Sequence, residues 1–363
     1  MPNFHYFQFN NPTIFDHTIA TGKTNKRLRV VTLNYLPSAY KMATEWIHEN
    51  GHEHVLAVTS PGIKTRATPA YKDVLPLIPS HVDSLVTTKM KSVLTPMLHQ
   101  IKPDIILCFT FAHRLDAELC QIPTYGSVNI HPSVLPLYRG PNPMRQFYDG
   151  ANVFGATAHR IADGYDTGEV LSQEYEKMPN IITQNTTFRW GQLIKKAISN
   201  GMEKAILGQS GFIQNDSQAT YAEPFTEDEK WIHLDEPSNV ILRKTIALNL
   251  AGGLAKTCIN GQVYKIHSAH YLPNLSNNTI GSVIKQSKGV FVIATADGAV
   301  QLVTELFKPN KKYDNPLPCS AFFEQPTSLV HMNSSTFRRA REVAKFNGFI
   351  RTPTPYKPSF YSI

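Results

Sequence analysis

The chain predicts an α/β fold: an open, mostly parallel sheet with helices on both faces, followed by a small β-barrel domain. Two patterns carry that prediction. From Leu28 onward, short apolar runs alternate with stretches of helical period, the layout of β-α-β units in a parallel sheet. Beyond Ala251 the helical period stops, and short β-like runs follow one another across Asn-Gly, Ser-Lys-Gly and Asp-Gly turns.

Taken in order, Leu28 to Asn34 (LRVVTLN) reads as a buried strand, and Ala39, Met42, Ala43, Trp46 and Ile47 recur at helical spacing behind it. Ser38 is placed to cap that helix and Gly51 to end it. His54 to Thr59 supplies a second strand, a Pro- and Gly-bearing loop starts at Ser60, Lys89 to Gln100 forms a helix, and Asp104 to Thr110 a third strand. In such a sheet, ligands bind beyond the carboxyl ends of the strands. The first strand-to-helix turn, Leu33 to Pro37, lacks G-x-G-x-x-G, which argues against dinucleotide binding through that fingerprint. Phe188, Leu193, Ile194, Ala197, Ile198, Ala205 and Ile206 form the stripe of a helix over 184–207, expected to close the first domain. The domain plan is an extension (1–27), a catalytic domain (28–207), a polar linker (208–236), the barrel domain (237–307) and a second extension (308–363). A helical pattern runs from Val240 to Ala251 at the start of the barrel domain. The strands that follow are Ala255 to Ile259, Gln262 to His267, Gly281 to Ile284, Val290 to Ala294 and Ala299 to Leu306, and the last extension shows one helical pattern, Ser335 to Phe346.

At 363 residues, 42% hydrophobic and 18% charged, the chain has the composition of a globular protein. Its formal charge of +8 favours anionic partners such as folate, nucleotides or RNA, and the stretch from Phe337 to Lys357 reads either as a solvated basic tail or as an RNA contact. The 4 cysteines have no metal-ligand spacing and are too few for a disulfide scaffold, so reduced thiols and a cytoplasmic location are expected. No apolar run reaches the roughly 20 residues of a membrane helix, and the first residues lack a signal-peptide layout, so no membrane partner is expected.

The chemistry concentrates in Gly126 to Gln173, which contains GSVNIHPSVLPLYRGPNP and FGATAHRIADGYDTGEVLSQ. Strand alternation sends Val128 and Ile130 to one face and Asn129 and His131 to the other. An amide that can donate to an oxyanion and an imidazole that can donate or shuttle a proton then emerge together, as acyl transfer needs. A lone His before Pro is more often structural, so the pair gains weight only from its surroundings. Pro136, Arg139, Gly140 and Pro141 make a stiff loop able to wall a pocket, and Asp166 lies in a second turn between Gly164 and Gly168.

These residues resemble the 10-formyltetrahydrofolate-dependent formyltransferase family, which carries Asn-x-His, then S-L-L-P and R-G, then an Asp in a D-x-x-D-T-G-like loop. Asn129, His131, Ser133, Leu135, Pro136, Arg139, Gly140, Asp166, Thr167 and Gly168 fall in that order, with Val134 where Leu is more common. The likeness runs from about Leu28 to Leu306, and the segment from Ala219 to His270 is similar to the linker and second domain of methionyl-tRNA formyltransferases. Glycinamide ribonucleotide transformylases resemble the first domain alone. The resemblance implies a Rossmann-like domain and an OB-like barrel, with Asn129, His131 and Asp166 as the catalytic set. It implies 10-formyltetrahydrofolate as formyl donor, held near Phe109, Phe111, His113, Leu115, Ser133, Leu135, Pro136, Asp163, Gly164 and Tyr165, and no metal. The acceptor amine, most like that of methionyl-tRNA, would meet Arg139, Lys64 and Arg66.

Other acceptors and activities stay open on the sequence. The loop TSPGIKTRATPAYKDV after the second strand is shorter than the basic insertion of initiator-tRNA enzymes, and both extensions depart from the family pattern. An amino sugar on a nucleotide carrier, or another small amine, is the alternative acceptor. A 10-formyltetrahydrofolate hydrolase would use water at the same site, and a non-catalytic RNA-binding module would show salt-sensitive RNA binding without folate turnover. Oligomeric state is not legible in the chain.

Overall fold

The computed structural model describes residues 26–61, 71–273, 275 and 278–308. Lys64, Arg66, the helical pattern at Ser335 to Phe346, the basic stretch after Phe337 and nearly all of the extension 1–27 lie outside the described residues.

The first domain alternates as its apolar periods dictate: β1 (Arg29–Asn34), α1 (Pro37–Glu49), β2 (Glu53–Thr59), α2 (Tyr71–Val74), β3 (Asp83–Val86), a π-turn at Met90–Leu94 leading into α3 (Thr95–Ile101), β4 (Ile105–Phe109), α4 (Ala117–Gln121) and β5 (Ser127–His131). Then α5 (Arg145–Tyr148), β6 (Val153–Arg160), β7 (Val170–Lys177) and α6 (Gln184–Ile206) complete it. The sheet order is β3-β2-β1-β4-β5-β6-β7, parallel as far as β5 and antiparallel across β5, β6 and β7. Strand order reverses between β1 and β4, so the ligand crevice of an open α/β sheet opens at their carboxyl ends.

Burial on both faces explains the continuous apolar runs of the parallel strands. Val30, Ile105, Leu107, Phe109, Val128 and Ile130 pack toward α1 and α6, while Val31, Leu33, Leu56, Val58, Ile106 and Cys108 pack toward Met90, Leu94, Leu98 and Leu119. Each such aliphatic side chain contributes roughly 1.5–3 kcal/mol on burial. Helix α6 lies close on β6 because Gly201 has no Cβ; one built there would stand 2.2 Å from Ala158 Cβ.

Several local expectations need correction. The residue at the N-cap of α1 is Leu36, with Pro37 in the first turn, and no side chain caps that end, Ser38 included. Proline's fixed φ suits that position as well as a capping hydroxyl does. Gly51 does end the helix, with φ +66. Phe188 is 64% exposed and sits off the packed stripe of α6, where Trp190 is buried and donates to the Gly155 carbonyl at 2.8 Å. Strands β6 and β7 arise from the motif segment itself, and the edge strand β3 and short α4 carried too little periodicity to be read. Of the described cysteines, Cys108 and Cys120 are buried free thiols, whereas Cys258 is disulfide-bonded, contrary to the reduced state expected.

The second domain contains α7 (Ser238–Leu250), β8 (Lys256–Ile259), β9 (Gln262–Leu272), β10 (Val283–Ser287), β11 (Val290–Thr295) and β12 (Gly298–Leu306). These strands form an antiparallel sheet of order β10-β11-β12-β9-β8, in keeping with a small barrel. Asn260 and Gly261 both have positive φ, the geometry of a tight hairpin turn between β8 and β9. The segment read as a linker is packed rather than loose. Ala222, Phe225, Trp231 and Ile232 are buried, and one apolar cluster runs from the first sheet through Phe225, Ile232 and Leu234 to Ile241, Leu248 and Phe291.

Candidate active site

Three chain segments converge at the carboxyl end of β5. Antiparallel pairing sets Asn129 opposite His159 and His131 opposite Thr157, so side chains of β5 and β6 share one face. The turn after β6 then returns Asp166 over that face. Asp166 has φ 54, a left-handed conformation that non-glycine residues rarely adopt, and Gly168 follows where a Cβ would stand 1.7 Å from the Arg160 carbonyl oxygen.

The polar contacts fix most proton positions. His131 Nε2 lies 2.7 Å from the Tyr138 carbonyl, which can only accept, so Nε2 carries a proton. His131 Nδ1 faces Asp166 Oδ2 at 3.5 Å. His159 Nδ1 likewise donates to the Arg160 carbonyl at 2.8 Å, which leaves Nε2 to accept from Asn129 Nδ2 at 3.0 Å. The same Asn129 amide reaches Asp166 Oδ1 at 3.3 Å, and the Gly140 N–H donates to Asp166 Oδ2 at 2.8 Å. Burial alone would push the Asp166 carboxyl up. The neighbouring His131 imidazole and the Gly140 N–H outweigh it and hold that carboxyl well below the usual carboxylate range.

Asn129, His131 and Asp166 are thus brought together. Other residues expected at the site have different placements. Arg139, expected to meet an acceptor, is buried, and its guanidinium is committed to Gln214 and Asp216. It is an organiser of the loop, because its charge is already answered. Ser133 is fully enclosed and donates to the carbonyls of Leu137 and Tyr138; Leu135 is buried, with its N–H on Thr157 and its carbonyl on Gln173. Neither offers a free polar group to folate. Pro136 follows Leu135 across a cis peptide and is half-buried.

At the crevice, Phe109 and Leu115 are core side chains, and Phe111 packs partly against the Leu115 cluster and edge-on to His113 at 5.7 Å. Burial lowers the pKa of His113, which keeps it neutral near pH 7. Asp163, Gly164 and Tyr165 are exposed on the turn before Asp166. A cavity of about 320 Å³ lined by Leu137, Tyr138, Asp149, Thr220 and Tyr221 lies instead beside the loop that follows Pro136, and none of the folate-facing residues expected from the sequence lines it.

Two residues of the network went unread in the sequence. His159 shows itself only through strand register, which pairs it with Asn129; Gln214 comes from the polar segment after α6. Among the described residues no group of three or more His, Cys, Asp or Glu is placed to hold a metal ion, and no helix is long and apolar enough to cross a membrane.

Residues 43–206 match the formyl transferase family, and residues 224–324 match the formyl transferase C-terminal domain. A methionyl-tRNA formyltransferase of Caldicellulosiruptor saccharolyticus is 31% identical over 57% of this chain and 67% of its own length. One from Syntrophomonas wolfei is 29% identical over 62% of this chain and 72% of its own. Among solved structures, HypX from Aquifex aeolicus, in complex with tetrahydrofolic acid, shares the fold with TM-score 0.58 at 17% identity, over 78% of this chain and 45% of that one. WlaRD, a sugar 3N-formyl transferase, does so with TM-score 0.53 at 18% identity, over 78% of this chain and 100% of that one. Matched in both of its domains, the chain belongs to the formyl transferase family.

Proposed function

We propose that the protein transfers the formyl group of 10-formyltetrahydrofolate to the amine of methionyl-tRNA, with Asn129, His131 and Asp166 at the reacting centre. The observation that carries the reading is the approach of His131 Nδ1 to Asp166 Oδ2, 3.5 Å, beside the Asn129 amide. Attack of a neutral amine on the formyl carbon places negative charge on the formyl oxygen, and preorganised donors lower that barrier. His131 keeps one proton fixed on Nε2 by the Tyr138 carbonyl, and its Nδ1 faces Asp166 at 3.5 Å, too long for a close hydrogen bond. A proton carried on Nδ1 is the one that would be offered to the oxyanion.

Asp166 binds protons weakly, so its part is to orient His131 more than to act as a base. Both Asn129 amide hydrogens are engaged, by His159 and Asp166, and the longer contact, to Asp166, is the one a formyl oxygen would replace. The exposed turn Asp163–Tyr165 and the backbone after Phe109 would flank the pterin, with tetrahydrofolate leaving as the amine is acylated.

Support for methionyl-tRNA comes from the matched second domain and from relatives of that name. A nucleotide-linked amino sugar is the second reading, favoured by the short loop after β2 and by the fold shared with WlaRD. The test is to supply 10-formyltetrahydrofolate with and without methionyl initiator tRNA and follow tetrahydrofolate release and formyl-methionine together, with His131→Ala as control. Formylated tRNA that disappears in the variant supports the reading. Variant-sensitive folate release without tRNA indicates hydrolysis, and no consumption with tRNA present turns the search to amino sugars.

A further inference from the structure

The side chain that grips the Asp166 turn most firmly comes from outside the catalytic motif. Gln214 is buried; its Oε1 accepts from Arg139 Nε at 3.1 Å and Nη2 at 2.8 Å, and its Nε2 donates to the carbonyls of Asp166 at 2.8 Å and Gly168 at 2.7 Å. A guanidinium only donates and a peptide carbonyl only accepts, so the two ends of this amide cannot exchange places. Arg139 is itself enclosed, and Asp216 completes its charge at 2.7 Å. An enclosed guanidinium is retained only where it is fully engaged, and here its engagement orients Gln214.

Both Gln214 donations fall on the turn that aims the carboxylate. Asp166, whose left-handed φ is 54, carries the first of those carbonyls, and the second follows two residues on. The residue after Arg139, Gly140, meanwhile donates its N–H to Asp166 Oδ2 at 2.8 Å. The Arg139–Gln214 pair therefore secures the turn from its backbone side and lies next to the group that secures the carboxylate. The segment carrying Gln214 is tied to the same loop farther on: Arg139 N–H donates to the Thr220 carbonyl, and Ala222 N–H to the Arg139 carbonyl.

We infer that Gln214 is a positioning residue for formyl transfer, holding the Asp166 turn so that its carboxylate stays against His131 Nδ1. This rests on the roles proposed above for Asp166 and His131. The groups that face Asp166 are His131 of β5, His159 of β6, the Gly140 N–H and the Cys108 thiol of β4. The charges beside Gln214 are Arg139 and Asp216. Gln214 reaches His131 by two routes, the turn it holds and Arg139, which follows the Tyr138 carbonyl that accepts from His131 Nε2.

The test is steady-state formyl transfer by the full chain, with kcat and KM for 10-formyltetrahydrofolate read separately, comparing wild type, Asp166→Asn, Gln214→Ala and Gln214→Met, with thermal melts alongside. Gln214→Met keeps the length of the side chain and removes both donations to the turn without adding a charge, so it serves if the alanine variant does not fold. Asp166→Asn is expected to lower kcat by roughly 10-fold or more, and both position-214 variants to lower it by a smaller factor, with KM within a few-fold of wild type. If they lower the melting temperature and leave kcat at the wild-type value while Asp166→Asn lowers it, Gln214 is structural only and the inference falls. A kcat unmoved by Asp166→Asn overturns the reading of Asp166 itself, and the inference with it.

Discussion

Two neighbouring places on the carboxyl edge of the first sheet are built on opposite plans. At the ends of β5 and β6, nearly every polar group has a partner of fixed sense: His131 on Tyr138 and Asp166, Asn129 on His159 and Asp166, and Thr157 on Ser133. At the ends of β1 and β4, Asn34 Oδ1, Thr110 Oγ1 and His113 Nε2 are shielded yet have no hydrogen-bond partner within the described protein. An unanswered buried polar atom costs about 1–3 kcal/mol, so such groups gain most from whatever polar atoms enter the crevice. The difference separates two jobs. On the function proposed above, the protein itself organises the end assigned to chemistry, whereas the crevice end is completed by what it binds, which predicts effects on turnover at one and on KM at the other.

The sharpest way to break that division is His131→Ala. Turnover should fall by roughly 10²–10³-fold, the usual loss when one preorganised oxyanion donor is removed, while KM for the folate donor stays within a few-fold. Steady-state kinetics at saturating acceptor measure both. A variant that loses folate affinity as severely as turnover would join the two regions into one.

Asp166→Asn should have the next largest effect on turnover, roughly 10-fold or more, because it removes charge and leaves shape. It also makes a stability prediction whose sign follows from the depressed carboxyl. A carboxylate held below its unfolded value contributes stability that is present above that value, about pH 3.9, and is lost as pH falls below it. The melting temperature of wild type should exceed that of Asp166→Asn at pH 7, and the gap should narrow as pH drops below about 4. A gap that widens in acid contradicts the charge pairing described for Asp166.

At the crevice end, Thr110 has φ 56, which a β-branched residue adopts only under strain. Thr110→Gly relieves that conformation and removes the unpartnered hydroxyl. Stability should rise by roughly 1 kcal/mol, seen as a higher melting temperature, and KM for folate should rise with turnover nearly unchanged. A drop in melting temperature would show that the hydroxyl is satisfied in the free protein.

How much of this was legible in the chain depends on the range of the interactions. Strand β1 and helices α1 and α6 declare themselves because their apolar residues repeat within one element, and Asn129 and His131 could be placed on one face by alternation alone. Asp166 was found through its glycine-flanked turn and its family likeness. His159 was not, since its partner Asn129 is 30 residues away and meets it only through the antiparallel register of β5 and β6. Gln214 lies in a stretch without period, where polar composition reads as a linker until Arg139 is seen to need an acceptor. Arg139 was misread for the related reason that sequence shows a charge without showing what already surrounds it.

The smallest expected effect tests where the two regions meet. Tyr165 is 67% exposed and precedes Asp166 directly, so it belongs to the catalytic turn by chain position and to the crevice by exposure. Its ring contributes little to the core, and truncating an exposed side chain away from special backbone features usually changes stability by less than about 0.5 kcal/mol. If the turn is held by Gln214 and Gly140 from its buried side, Tyr165→Ala leaves the Asp166 carboxylate where it was. Turnover and the pH dependence of turnover then match wild type, and the change appears as a few-fold rise in KM for folate through lost cover of the pterin. A fall in turnover approaching that of Asp166→Asn would mean that the exposed side of the turn also aims the carboxylate, and that the chemistry and the crevice share one mobile element instead of dividing the strand edge between them.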